Sequence, residues 1–139
     1  MRLMIFLIGL ALLIGYFFPG ELWARDRDGK WAAASPSERK WFKEQRQPKS
    51  GHLCCSEADG DQVDEEIRYD SGTPRYWIAS DKTGGKWLLV PEDAVIHEGN
   101  PHGRAVAWFR WQDGNGRWSS APRTDLPVSV YCFAPGPLL

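Results

Sequence analysis

The residues whose types could do chemistry are concentrated in one stretch, His52-Leu53-Cys54-Cys55-Ser56-Glu57-Ala58-Asp59-Gly60-Asp61. It carries two of the three cysteines and one of the three histidines. A nucleophilic thiol needs a base, and His52 shares a face with Cys54 if the stretch is extended, because alternate residues of a strand point the same way. His52, Cys54 and Cys55 together could offer nitrogen and sulfur ligands to copper or zinc. Asp59, Asp61, Asp64 and Glu65 could offer oxygens to calcium.

The spacing argues against each of these chemistries. Paired Cys-x₂-Cys ligands are missing, as is a thioredoxin-like Cys-x-x-Cys. Asp59-Gly60-Asp61 is out of register with a calcium-binding EF-hand loop, which needs acidic or amide positions at alternate sites before its glycine. The expectation is a solvated acidic turn leading into a strand, with no cofactor and no catalytic residue.

Disulfide chemistry fits the cysteines better. Adjacent residues have Cα atoms about 3.8 Å apart, below the usual span of a disulfide, so a Cys54–Cys55 bridge would be strained. Cys132 is the better partner for either. Such a bond closes a loop of nearly 80 residues and would stabilise by about 4–5 kcal/mol on the chain-entropy model. Sequence alone does not distinguish Cys54 from Cys55 as the bonded one, and it leaves one thiol over.

The N-terminus supplies a compartment for that bond. Arg2 precedes an apolar run, Leu3 to Phe18, broken by Gly9 and Gly15 and ended by Pro19-Gly20. Leu22-Trp23-Ala24 then offers a cleavage position, so residues 1–24 are expected to be a signal peptide. The run is shorter than the roughly 20 residues that span a hydrocarbon core, yet it could be kept as an anchor. Membrane contact would then be confined to residues 3–18. Either reading places the remainder outside the cytoplasm, in the periplasm or secreted.

Losing Arg2 and Glu21 removes one charge of each sign and leaves the formal net charge at −1. No long basic block is present, which excludes nucleic acid as an expected partner. About 115 residues remain, enough for one modest core, and an exported domain of that size often carries a disulfide. Seven of the eight tryptophans lie in this part. They bring much apolar area to a small interior.

The elements that must position these residues can be read in order. Residues 25–34 are expected to be a flexible leader and 35–139 a single small domain. Ser35-Pro36-Ser37-Glu38 is a helix start: a capping serine, a proline suited to the first helical position, and a glutamate that completes a capping box. The helix is predicted over 36–46, because Pro48 disfavours continuation. Its apolar residues are Trp41 and Phe42, one aromatic ridge.

After the acidic run, short strands are predicted at Ile67–Tyr69, Arg75–Ala79, Lys86–Val90, Arg104–Trp111, Trp118 and Pro127–Phe133, with a short apolar segment at Ala94–Ile96. Turn chemistry separates them at Asp70–Pro74, Asp81–Gly85 and Asp113–Gly116. About six strands behind one helix predict a mainly β fold, a small antiparallel partial barrel or sandwich.

Trp108, Trp111 and Trp118 cluster about one hairpin and are candidate ligand-binding residues. On a strand, Trp108 and Arg110 share one face while Phe109 and Trp111 share the other. Either the helix covers the second apolar face with Trp41 and Phe42, or that face is an exposed platform for a sugar ring or peptide. Covering by the helix is the expectation, since the helix otherwise has nothing to pack on.

Ser35-Pro36…Trp41-Phe42, Cys54-Cys55-Ser56-Glu57-Ala58-Asp59-Gly60, Trp87…Val90-Pro91…Ala94-Val95-Ile96 and Tyr131-Cys132-Phe133-Ala134-Pro135 run through nearly the whole domain. In these motifs the chain resembles a group of small exported proteins of proteobacteria and their phages. The resemblance implies export and a shared small fold, and assigns no chemistry to any position. The functional expectation is a non-enzymatic interaction or binding module whose partner is a protein or another component of the cell envelope. Two alternatives stand beside it: a metal- or thiol-dependent protein acting at Cys54/Cys55 with His52, and a glycan-binding module using Trp108, Trp111 or Trp118.

Overall fold

The computed structural model describes residues 29, 31–54, 60–119, 123 and 125–137. Helix α1 (Pro36–Glu44) begins as its sequence demands. The Ser35 hydroxyl accepts from the Glu38 N–H, and the Glu38 carboxylate accepts from the Ser35 N–H at 2.7 Å. Two orphan donors at the helix start are thereby satisfied. The chain leaves the helix at Gln45, turns through Pro48–Ser50, and returns so that the Cys54 N–H donates to the Gln45 carbonyl at 2.9 Å.

Among the described residues seven strands follow in two antiparallel sheets: β1 (Gly60–Gln62), β2 (Asp64–Asp70), β3 (Thr73–Ala79), β4 (Leu88–Leu89), β5 (Val106–Gln112), β6 (Trp118–Ser119) and β7 (Val128–Ala134). One sheet has the order β2-β3-β4. The other is built on β5. Strand β7 lies along one edge of β5, and β1 and β6 take the two ends of the other edge. The fold is mainly β, as expected, and the helix covers one side of it.

Strand β5 is apolar on both faces because both are covered. Ala107, Phe109 and Trp111 join Ile78, Val90, Val130 and Phe133 in the core between the two sheets. Val106 and Trp108 face the other way, into a second core with Trp31, Phe42, Cys54, Cys132 and Ala134. The order of layers is therefore helix, four-stranded sheet, three-stranded sheet. The Trp41–Phe42 ridge seats on Trp108, with Phe42 edge-on at 6.0 Å between ring centroids.

Two expectations need correction. Gly60–Gln62 is a strand rather than a solvated turn. It pairs with Val106–Trp108, and the Asp61 side chain is buried near the Lys82 ammonium at 3.9 Å. The short apolar segment Ala94–Ile96 is buried: Glu92–Ala94 forms a 3₁₀ turn, and Val95 makes one parallel bridge to Phe133. The core also reaches upstream of Ser35. Trp31 and Ala34 are buried, and the Trp31 indole N–H donates to the Gly60 carbonyl. An aromatic ring with a satisfied polar handle belongs to the domain, not to a leader.

Candidate functional site

A disulfide joins Cys54 to Cys132 across 78 residues of chain. It fastens the segment leaving α1 to the last strand. Both sulfurs are buried against Phe42 and Trp108. Cys54 is thereby removed as a thiolate nucleophile or metal ligand, since only the free thiolate does that chemistry, and the thiol and metal readings at Cys54/Cys55 fall to Cys55. Cys55 and Asp59 lie outside the described residues.

The remaining candidates do not converge. His52 is exposed, with its backbone N–H held by the Ser50 hydroxyl. Asp61 is buried in β1, and Asp64 is exposed on β2 opposite Ala79. Among the described residues no group of three His, Cys, Asp or Glu side chains is placed to hold a metal ion.

The aromatic candidates separate as well. Trp108 and Trp111 are both buried, on opposite faces of β5. Only Trp118 is exposed, at the sheet margin. The three do not share one exposed platform, because packing from both sides covers the faces of Trp108 and Trp111.

An exposed aromatic surface does exist on the outer face of the β2-β3-β4 sheet. The register puts Glu66 opposite Trp77, Arg68 opposite Arg75, and Trp77 opposite Leu89. The Arg68 guanidinium lies over the Trp77 ring at 4.7 Å and the Trp87 ring at 5.2 Å. Such contacts are attractive because the ring face is electron-rich. Glu66 accepts from the same guanidinium at 2.9 Å, and that hydrogen bond holds its carboxyl below the usual glutamate range. Trp87 and Leu89 keep 39% and 42% of their surface exposed, which gives this face apolar area beside a fixed cation and anion. Sequence patterning could not have found it. Arg68, Trp77 and Trp87 come from three separately predicted strands, and only the pairing register shows that they meet.

A second cluster is structural. His102 stacks edge-on against Trp31 at 4.4 Å, and its Nδ1 lies 3.3 Å from a Glu38 carboxylate oxygen. Its Nε2 lies 2.8 Å from the Gln62 amide nitrogen. The Gln62 oxygen accepts from Arg104, so Gln62 donates to Nε2 and the ring proton sits on Nδ1, facing Glu38. Hydrogen bonds from the Ser35 backbone and hydroxyl, then His102, keep the Glu38 carboxyl low. Both ring nitrogens are occupied, and the histidine ties the start of α1 to β1.

Two open depressions flank the Ile96–Glu98 segment. One of about 430 Å³ faces Gln45–Pro48, and one of about 330 Å³ faces Tyr76 and Pro135–Pro137. His97 and Glu98 line both, with Glu44, Gln45, Arg46 and Gln47 beside them in the first and Asn100 in the second. No family model, curated protein or solved structure matches the chain.

Proposed function

We propose that the chain is an exported, non-enzymatic binding module of the cell envelope, and that it engages its partner through the outer face of the β2-β3-β4 sheet. The observation that carries this reading is the Arg68–Trp77–Trp87 stack. Trp87 and Leu89 lie in the open on the sheet beside the half-buried Trp77, with Arg68 and Glu66 placed among them. A persistent exposed aromatic patch on a small domain marks a binding surface more often than idle surface.

The compartment is supported by the signal-like N-terminus, by the Cys54–Cys132 bond, which persists in oxidising surroundings, and by the resemblance to small exported proteins. Cell-wall glycan is the partner whose chemistry fits first. The apolar face of a pyranose ring can lie on Trp87, while its hydroxyl and carboxylate groups meet Glu66 and Arg68. This moves the glycan reading from Trp108, Trp111 and Trp118 to Trp77 and Trp87.

Cosedimentation with purified peptidoglycan sacculi tests it. The wild-type protein is expected in the pellet, and Trp87→Ala in the supernatant. Equal sedimentation of the two, or a wild-type protein that stays soluble, would reject the glycan reading.

A further inference from the structure

Strand β2 is an edge with its backbone on offer. Among the described residues it pairs only with β3, through a two-residue turn at Ser71–Gly72 in which both residues have positive φ, 49° and 85°. Such a turn closes on a hydrogen-bonded pair, here Asp70–Thr73. Antiparallel pairs alternate, so Arg68–Arg75, Glu66–Trp77 and Asp64–Ala79 are the hydrogen-bonded pairs that follow. Pro74, which has no N–H, accordingly sits in the non-bonded pair with Tyr69. The N–H and C=O groups of Glu65, Ile67 and Tyr69 therefore point away from β3. Among the described residues no other backbone segment meets them.

We propose that two copies of the chain pair through this edge, β2 antiparallel to β2 of the second copy, on a two-fold axis at Ile67. The choice of partner comes from the sequence of the strand, Asp64-Glu65-Glu66-Ile67-Arg68-Tyr69-Asp70. About Ile67 the outward-pointing residues match one another, Ile67 on Ile67 and Glu65 on Tyr69, as a hydrogen-bonded ladder requires.

On the outer face this register sets each Glu66 opposite the second copy's Arg68, two opposite-charge pairs directly across the new ladder. On the other face, Ile67 and Tyr69, which are 37% and 75% exposed, gain apolar neighbours. Slipping by two residues one way puts Arg68 against Arg68 and Glu66 against Asp70. Slipping the other way puts Glu66 against Glu66. One register is thus selected, at the cost of Asp64 facing Asp70 at the two ends.

Charged edge strands ordinarily resist pairing. This one resists every partner except a copy of itself in a single alignment. The interface is isologous and closes as a dimer. It joins the two three-stranded sheets into one of six strands, with the two Arg68–Trp77–Trp87 stacks on the same side.

Sedimentation equilibrium of the full chain tests the pairing, with near-ultraviolet circular dichroism to confirm that each variant is folded. Wild type is expected to dimerise. Arg68→Glu should raise the dimer dissociation constant at least about tenfold, and Glu66→Arg combined with Arg68→Glu should restore it by exchanging the two charges. Ile67→Pro provides an independent block. It removes the outward N–H on the two-fold while leaving the bonds to β3, a position where edge strands tolerate proline. A wild-type chain that is monomeric to millimolar concentration, or a dimer indifferent to Ile67→Pro and to the charge exchange, overturns the proposal.

Discussion

Trp108 lies directly opposite Cys132 on the β5–β7 ladder and directly opposite Gly60 on the β1–β5 ladder. Residues on one rung share a face, so glycine, tryptophan and disulfide form a row across three strands, all turned toward α1. The row explains how a nine-residue helix with only one aromatic ridge is held. Gly60 leaves the space, Trp108 fills it, Phe42 closes it, and the Cys54–Cys132 bond prevents the chain behind the helix from leaving.

Breaking that bond should be costly. Cys132→Ser releases a loop of 78 residues and is expected to lower unfolding free energy by about 4–5 kcal/mol on the chain-entropy model. Urea unfolding followed by tryptophan fluorescence measures it. Wild-type protein under reducing conditions should approach the variant, and a loss below about 1 kcal/mol would show that the bond constrains the unfolded chain far less than its length implies.

Gly60→Ala tests the row itself. In an open strand the change would stabilise, because alanine loses less backbone entropy on folding. Here an added Cβ would stand 3.2 Å from Val106 Cγ1 and 3.4 Å from both the Phe42 and the Trp108 rings. Three buried side chains have little room to give, so overpacking should prevail, with a loss of about 1–3 kcal/mol. Increased thermal stability would instead mean that the ring packing yields easily.

Some of this arrangement was legible in the sequence. Ser35-Pro36-Ser37-Glu38 encodes its helix start locally, and the β5 run announces by its two apolar faces that something must cover each. Strand β1 could not be read in the same way. Gly60-Asp61-Gln62 has no apolar alternation, and its pairing with Val106–Trp108 is a tertiary fact. The Cys54 pairing is likewise set by where the Arg46–Leu53 return delivers the chain. The Arg68–Trp77–Trp87 stack needed the register of three strands, which no single segment carries.

Phe42→Ala should separate the helix from the sheets. The ring is fully buried between Trp31, Trp41 and Trp108, and its removal is expected to cost about 3–5 kcal/mol. Hydrogen exchange should then show α1 opening before β5 and β7, because the core between the sheets contains no part of the helix. Simultaneous opening of both would indicate a single cooperative unit.

Glu65 gives the fold a pH dependence of defined sign. Its side chain leaves β2 on the side of the sheet that meets the C-terminal segment. Partial burial raises its pKa, and the Gly136 N–H, donating to one carboxylate oxygen at 3.0 Å, offsets only part of that effect. The other oxygen is buried without a partner among the described residues. A carboxyl whose folded pKa lies above its unfolded value favours folding most when protonated. That contribution is fully present below the unfolded value of about 4.5 and is lost as pH rises through the folded one. Glu65→Gln keeps an oxygen for Gly136 and removes the charge, so it should be at least as stable as wild type near neutrality. The advantage of the variant should shrink as pH falls toward 4.5, where the wild-type carboxyl is itself neutral in the fold. Urea unfolding of both proteins across this range is the measurement. A gap that stays constant with pH would mean that solvent reaches the carboxylate well enough to cancel the cost of its burial.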